Sequence, residues 1–134
     1  MAKVVFYEKP GCGGNARQKA LLVSSGHELD VRNLLAERWT AATLRPFFGA
    51  KPVPEWFNAS APRVKSGAIR ISDLTPDAAL EMMVADPILI RRPLMQIEER
   101  RESGFDHALV DAWIGLRSTT VPVTDACIKG RAAS

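Results

Sequence analysis

Cysteine is scarce in this chain. Of its 134 residues two are cysteines, Cys12 and Cys127, too few for a disulfide framework. That excludes the small secreted classes held together by bridges. It fits a reducing compartment, so the expected location is the cytoplasm. No apolar run approaches the roughly 18 residues that a membrane-spanning helix needs. The opening residues, MAKVVFYEKPG, run straight into a strand pattern, without the apolar stretch and cleavage site of a secretory signal. Histidine is equally rare. His27 and His107 are isolated, no ligand spacing links them to both cysteines, and no metal site is expected. The Gly-Cys-Gly-Gly run at 11–14 lacks the Lys-Ser/Thr ending of a phosphate loop. Strong charge is missing too: 18 basic and 15 acidic residues leave +3. That argues against direct nucleic-acid binding, while the local pairs Arg91-Arg92 and Arg100-Arg101 suit an anion or an acidic partner. There is no internal repeat.

What is present is an ordinary globular composition, 46% hydrophobic and 25% charged, in a length suited to one domain. Val4 to Tyr7 is a short, continuous apolar run of β-branched and aromatic types, the pattern of a strand buried on both faces. Pro10-Gly11 ends it. Cys12 follows, at the point where the turn hands over to a helix from Asn15 to Ser25, with Ala16, Ala20 and Val23 on its expected core face, Leu22 beside it and Gly26 as its stop. A helix start offers unpaired N–H groups and partial positive charge, which favour a thiolate, the reactive form of cysteine. Cys12 is therefore the first candidate site residue.

The alternating stretch Glu28–Asn33 predicts an edge strand. Thr40 caps a helix over Ala41–Phe48, and Pro54 opens a short turn. Asn58–Gly67 reads as a loop. Asp73 or Thr75 caps a helix over Pro76–Ala85 with Leu80, Met83 and Val84 inward. Leu94–Ile97 and Arg100–Ser103 form a hairpin, and Asp106 caps a last helix from His107 to Leu116. The aromatic group of Trp39, Phe47, Phe48, Trp56 and Phe57 reads as core. From Arg117 the periodicity fades, so residues 1–116 form the expected domain and 117–134 a flexible C-terminal tail. The fold class is α/β (α+β): a four-stranded mixed sheet with flanking helices and an inserted helical segment.

The order of elements, with a cysteine after the first strand and a proline opening the third, resembles the thioredoxin fold. KPGCGGNARQKALL resembles the cysteine loop of the arsenate reductase/Spx family. ADPILIRRPLMQIEERRESGFDHALVDAWI resembles that family's second half: a helix end, an R-R-P turn, a hairpin, G-F-D and a closing helix. The resemblance spans about residues 3–116. It is greatest to the nitrogenase-associated, arsenate-reductase-like subgroup, through FYEKPGC, NARQKALL, LRPFFG, EWFN, APRVKSG and DAWIGL.

That resemblance implies a glutaredoxin-dependent arsenate-reductase-like oxidoreductase, with glutathione as co-substrate rather than a bound cofactor, and glutaredoxin or a protein of the nitrogen-fixation system as partner. Cys12 matches the family nucleophile, Arg92 the anion-binding arginine, and Pro93 the cis-proline that faces the cysteine. Guanidinium groups suit tetrahedral oxyanions because they bind two oxygens at once. Two family arginines are missing, at Ala16 and Asn58. Arg17 is one helix step, about 100°, from the first, Arg63 lies near the second, and Arg100 on the hairpin is a further candidate. Asn15 stands where the C-x-x-C relatives carry their second cysteine, so Cys12 has no resolving thiol there. These departures support the alternative, a catalytically inactive regulatory or protein-binding module of the Spx type.

Overall fold

The computed structural model describes residues 2–116. Cys127 and the expected tail lie outside the described residues. Four strands form one sheet in the order β2-β1-β3-β4: β1 is Lys3–Glu8, β2 Glu28–Asn33, β3 Leu94–Ile97 and β4 Arg100–Ser103. β1 runs parallel to β2 and antiparallel to β3, which pairs antiparallel with β4. The sheet is mixed, as expected, and β2 is an edge strand.

Residues alternate across the sheet, and β1 shows what each face holds. Val4 and Phe6 point into a cluster with Leu21, Leu22, Met95, Phe105 and Val110. That is the face covered by α1, Gly13–Ser24, and α5, His107–Ile114. Tyr7 joins the opposite cluster, made by the long segment between β2 and β3. There Tyr7 meets Trp39 at 4.9 Å between centroids, and Phe48 stacks on Trp56 at 4.7 Å. Burying such rings contributes about 2–3 kcal/mol each, with about 1 kcal/mol more per ring pair. The aromatic group is core, as its composition suggested.

Caps set the helix starts. Thr40 and Thr43 form a reciprocal capping box on α2, Ala41–Leu44. Thr75 accepts from Ala78 N–H on α4, Pro76–Ala85, and Asp106 accepts from Leu109 N–H on α5. Gly26, at φ +93°, ends α1 in the left-handed conformation that an L side chain resists.

Several expectations need correction. α1 does not bury Ala16, Ala20 and Val23, which are exposed. It buries Gly14, Asn15, Gln18, Leu21 and Leu22. The helix expected over Ala41–Phe48 is α-helical only to Leu44 and continues as a 3-10 turn over Arg45–Phe47, because Pro46 offers no N–H for the next α-type bond. The expected loop 58–67 contains a short helix, α3, Pro62–Lys65, with proline in its first turn. On α4 the inward residues are Ala79, Leu80 and Met83, while Val84 is exposed. α5 stops at Ile114, before Gly115 at φ +84°. Among the described residues no helix is long and apolar enough to cross a membrane.

Candidate functional site

The site begins where β1 runs out. Lys9-Pro10-Gly11-Cys12 is a tight turn closed by Cys12 N–H donating to Lys9 C=O at 3.1 Å. Gly11 has φ +83°, a conformation that glycine adopts without steric cost. Cys12 is the N-cap of α1, with extended backbone (φ −78°, ψ 119°) and its C=O accepting from Ala16 N–H at 3.1 Å. No acidic residue lies in the first turn of α1, so the positive end of the helix is not neutralised from its own side chains. The Cys12 side chain is 6% exposed.

The turn is held from inside by two buried amides. Asn15 Oδ1 accepts from Lys9 N–H at 3.0 Å, and Asn15 Nδ2 donates to Gln18 Oε1 at 2.9 Å. Each such bond is worth about 1 kcal/mol net, and an unmade one costs more. The pair therefore fixes the cysteine loop in one conformation. Asn15, which replaces the second cysteine of C-x-x-C relatives, is a structural clamp here.

The second half of the site comes from the segment before β3. The Arg92-Pro93 peptide is cis. Pro93 C=O accepts from Gly104 N–H at 2.9 Å, and Arg91 N–H donates to Trp56 C=O at 2.9 Å. Phe57 bridges Ile90, and Asn58 N–H donates to Leu89 C=O at 2.8 Å. This short pairing carries residues 58–62 alongside Arg92. Lys9, Gly11, Cys12, Asn58, Ser60, Ala61, Pro62, Ile88 and Arg92 then line one cavity of about 290 Å³.

Arg92 is the unusual member. It is 7% exposed, and its Nε is shut from solvent with no hydrogen-bond partner among the described residues. A buried donor left unpaired costs about 1–3 kcal/mol, and more on a charged group. No carboxylate of the described residues lines the cavity. Arg92 is thus a guanidinium placed beside a cysteine and a helix start, with unused capacity to bind an anion.

The other arginines marked in the sequence lie elsewhere. Arg17 is exposed on α1 and does not line the cavity. Arg63, on α3, is paired with Asp86 at 2.9 Å. Arg100 bonds Glu102 at 3.2 Å and lies over Trp113 at 4.6 Å. It pairs with Ile97 at the hairpin end of β4, whereas Ser103, at the other end, faces Leu94 next to Pro93. Asn58 does line the cavity, but its Oδ1 already accepts from Ser60 N–H at 3.0 Å. Lys9 was missed. The signal was a basic residue between a strand end and the cysteine, but nothing in the residue pattern says where its side chain goes. Among the described residues no cluster of three or more metal-ligating side chains occurs.

With this geometry in view, comparison with known proteins places the chain. The model of the ArsC family matches residues 7–113. The chain belongs to the ArsC family. It is 54% identical, over 116 residues, to an uncharacterized 15.7 kDa protein in the draG 3′ region of Rhodospirillum rubrum, covering 87% of this chain and 81% of that one. It is 24% identical over 105 residues to the global transcriptional regulator Spx of Lactiplantibacillus plantarum, covering 77% and 80%. Among solved structures it resembles the arsenate reductase from Vibrio cholerae, with a TM-score of 0.65 and 24% identity over 76% of this chain and 89% of that one. That likeness is one of fold, the thioredoxin-like fold of ArsC-family proteins. In this ArsC-family chain the cysteine loop and the Arg92-Pro93 turn meet, as the resemblance in sequence implied, while the rest of the expected arginine set does not reach the cavity.

Proposed function

We propose that the protein is a cytoplasmic thiol oxidoreductase, linked to glutathione and glutaredoxin and associated with nitrogen fixation. Cys12 is its nucleophile and Arg92 holds the anionic part of the substrate. The observation that carries the reading is that Cys12 and Arg92, a buried arginine whose Nε has no hydrogen-bond partner among the described residues, line one cavity. A thiolate attacking an anion needs fixed positive charge nearby to offset repulsion as the anion approaches. A buried guanidinium and an unneutralised helix start supply it. Pro93, through its cis bond to Arg92, sets the backbone from which that arginine leaves. The tie to nitrogen fixation rests on the subgroup motifs and on the relative found in the draG 3′ region.

The direct test is an arsenate reductase assay with glutathione and glutaredoxin, run on the wild type and on Cys12→Ala. Turnover in the wild type and none in the variant supports the reading. Equal rates in the two proteins refute it.

A second reading is favoured by one observation. Ala16 is exposed and Asn58 has its amide oxygen committed, where arginines of the reductases are expected. The chain would then be a regulatory or protein-binding module of the Spx type, without turnover. It predicts a protein partner captured equally by wild type and Cys12→Ser. Loss of the biological effect in Cys12→Ser with partner binding intact would overturn it.

A further inference from the structure

Lys9 lines the Cys12 cavity. Its backbone is fixed at both ends, by Asn15 Oδ1 on its N–H and by Cys12 N–H on its C=O. The side chain therefore leaves from a rigid turn three residues before the thiol. Its ammonium has no carboxylate partner among the described residues, and the adjacent Glu8 is taken by Lys19. Arg92, with its orphaned Nε, lines the same cavity. Two cations and no carboxylate thus border one partly enclosed space, and a ligand that balances them is anionic.

The space is larger than a small oxyanion needs. About 290 Å³ corresponds to roughly ten waters at ~30 Å³ each, close to the lower end of sites for organic ligands, about 300 Å³. Ala61, Pro62 and Ile88 form an apolar stretch of its wall. Positive charge, this volume and the apolar wall together fit one carboxylate-bearing half of a peptide disulfide, the other half reaching out through the open mouth.

We propose that Lys9 determines the specificity of this site by binding a carboxylate of such a disulfide while Cys12 attacks its sulfur. This rests on the reading of Cys12 as a nucleophile. In the step, the Cys12 thiolate forms a bond to one sulfur and the S–S bond of the ligand breaks. The other half leaves as a thiolate and takes a proton from water. Cys12 is oxidised to a mixed disulfide and the departing half is reduced, so no further oxidant is needed.

The test uses the full chain with Cys127→Ser, so that adducts form at one thiol. Rates of mixed-disulfide formation are measured by mass spectrometry with glutathione disulfide, which carries carboxylates, and with bis(2-hydroxyethyl) disulfide, which is uncharged. Lys9→Gln is expected to slow the glutathione disulfide reaction about fivefold, the scale of one partly screened charge pair, and to leave the uncharged reagent within about twofold. Lys9→Arg restores the rate. Equal slowing of both reagents, or no slowing of either, overturns the role of Lys9 while leaving Cys12 as nucleophile. Protection of Cys12 by millimolar inorganic phosphate, equal in wild type and Lys9→Gln, overturns it in favour of a simple oxyanion site. A wild type that reacts with neither disulfide overturns both the role of Lys9 and the nucleophile reading.

Discussion

The two ends of the sheet treat positive charge in opposite ways. At the hairpin end Arg100 is paired with Glu102 and laid over Trp113, and Arg101 donates to Glu99 C=O. At the cysteine end Arg92 is buried with an unmatched Nε, Lys9 has no carboxylate partner among the described residues, and the start of α1 carries no acidic residue. Charge that a fold compensates serves its stability. Charge that it buries and leaves uncompensated costs stability, and its persistence calls for a ligand. The contrast separates one arginine from a chain in which arginine is common, and it can be broken or sharpened by substitution.

The largest effect is expected at Cys12. Cys12→Ala abolishes adduct formation at this site, read by peptide mass spectrometry, and lowers stability by no more than about 1 kcal/mol in urea unfolding, because only one small buried group is lost. Arg92→Met comes next. It slows the reaction of Cys12 with glutathione disulfide about tenfold or more, yet leaves unfolding free energy unchanged or raised by about 1 kcal/mol, since an unpaired buried donor gives way to an apolar stem. Activity lost while stability is kept or raised is the signature expected of Arg92.

Arg100→Ala should do the reverse at the hairpin end. Its contact with Trp113 and its pair with Glu102 are worth about 0.5–1 kcal/mol, lost in urea unfolding, while Cys12 reactivity stays at the wild-type rate. The smallest effect is on the β2 edge. The hydrogen bond from Arg32, followed by its charge, holds the Asp30 carboxyl below its usual range. A depressed carboxylate contributes stability above its unfolded pKa of about 3.9, and that contribution is lost as pH falls through the still lower folded value. Asp30→Asn therefore leaves unfolding at pH 7 without measurable change, since solvent at the sheet edge screens the pair, and any difference from wild type narrows further in acid.

Much of the fold was legible because strand burial writes itself plainly. The run Val4–Tyr7 is apolar at consecutive positions because both faces of β1 are covered, and the β2, β3 and β4 bounds match their patterns. The buried face of α1 was not legible. Asn15 and Gln18 are buried because they satisfy each other and the Lys9 N–H, and a hydrophobic pattern gives polar residues to solvent. Ala16 and Ala20 carry too weak a signal to correct that. Pro46 and Pro62 were visible in sequence, but whether a proline ends a helix or starts one depends on the turn before it.

The site was half legible. Cys12, Arg92 and Pro93 stand in motifs; Cys12 and Arg92 line one cavity, while Pro93, cis-bonded to Arg92, is not part of its lining. The absence of partners on Arg92 Nε was hidden, because it depends on which of fifteen acidic residues fold nearby, and none of the described ones lines the cavity. Lys9 was hidden for a related reason: its importance lies in a backbone clamp made by Asn15, six residues later. Arg63 looked like a substitute for the residue missing at Asn58, but Asp86 at the end of α4 claims it.

The central claim is that Arg92 gives the Cys12 site a preference for anions, separate from the reactivity of the thiol itself. The most direct measurement is the ratio of Cys12 alkylation rates by iodoacetate and by iodoacetamide, one anionic and one neutral, in the Cys127→Ser chain, with a free thiol as reference. The account predicts a ratio above that of the free thiol in the wild type, falling at least fivefold in Arg92→Met, a loss on the order of one charge interaction. A ratio equal to the free thiol, or unchanged by Arg92→Met, would contradict it.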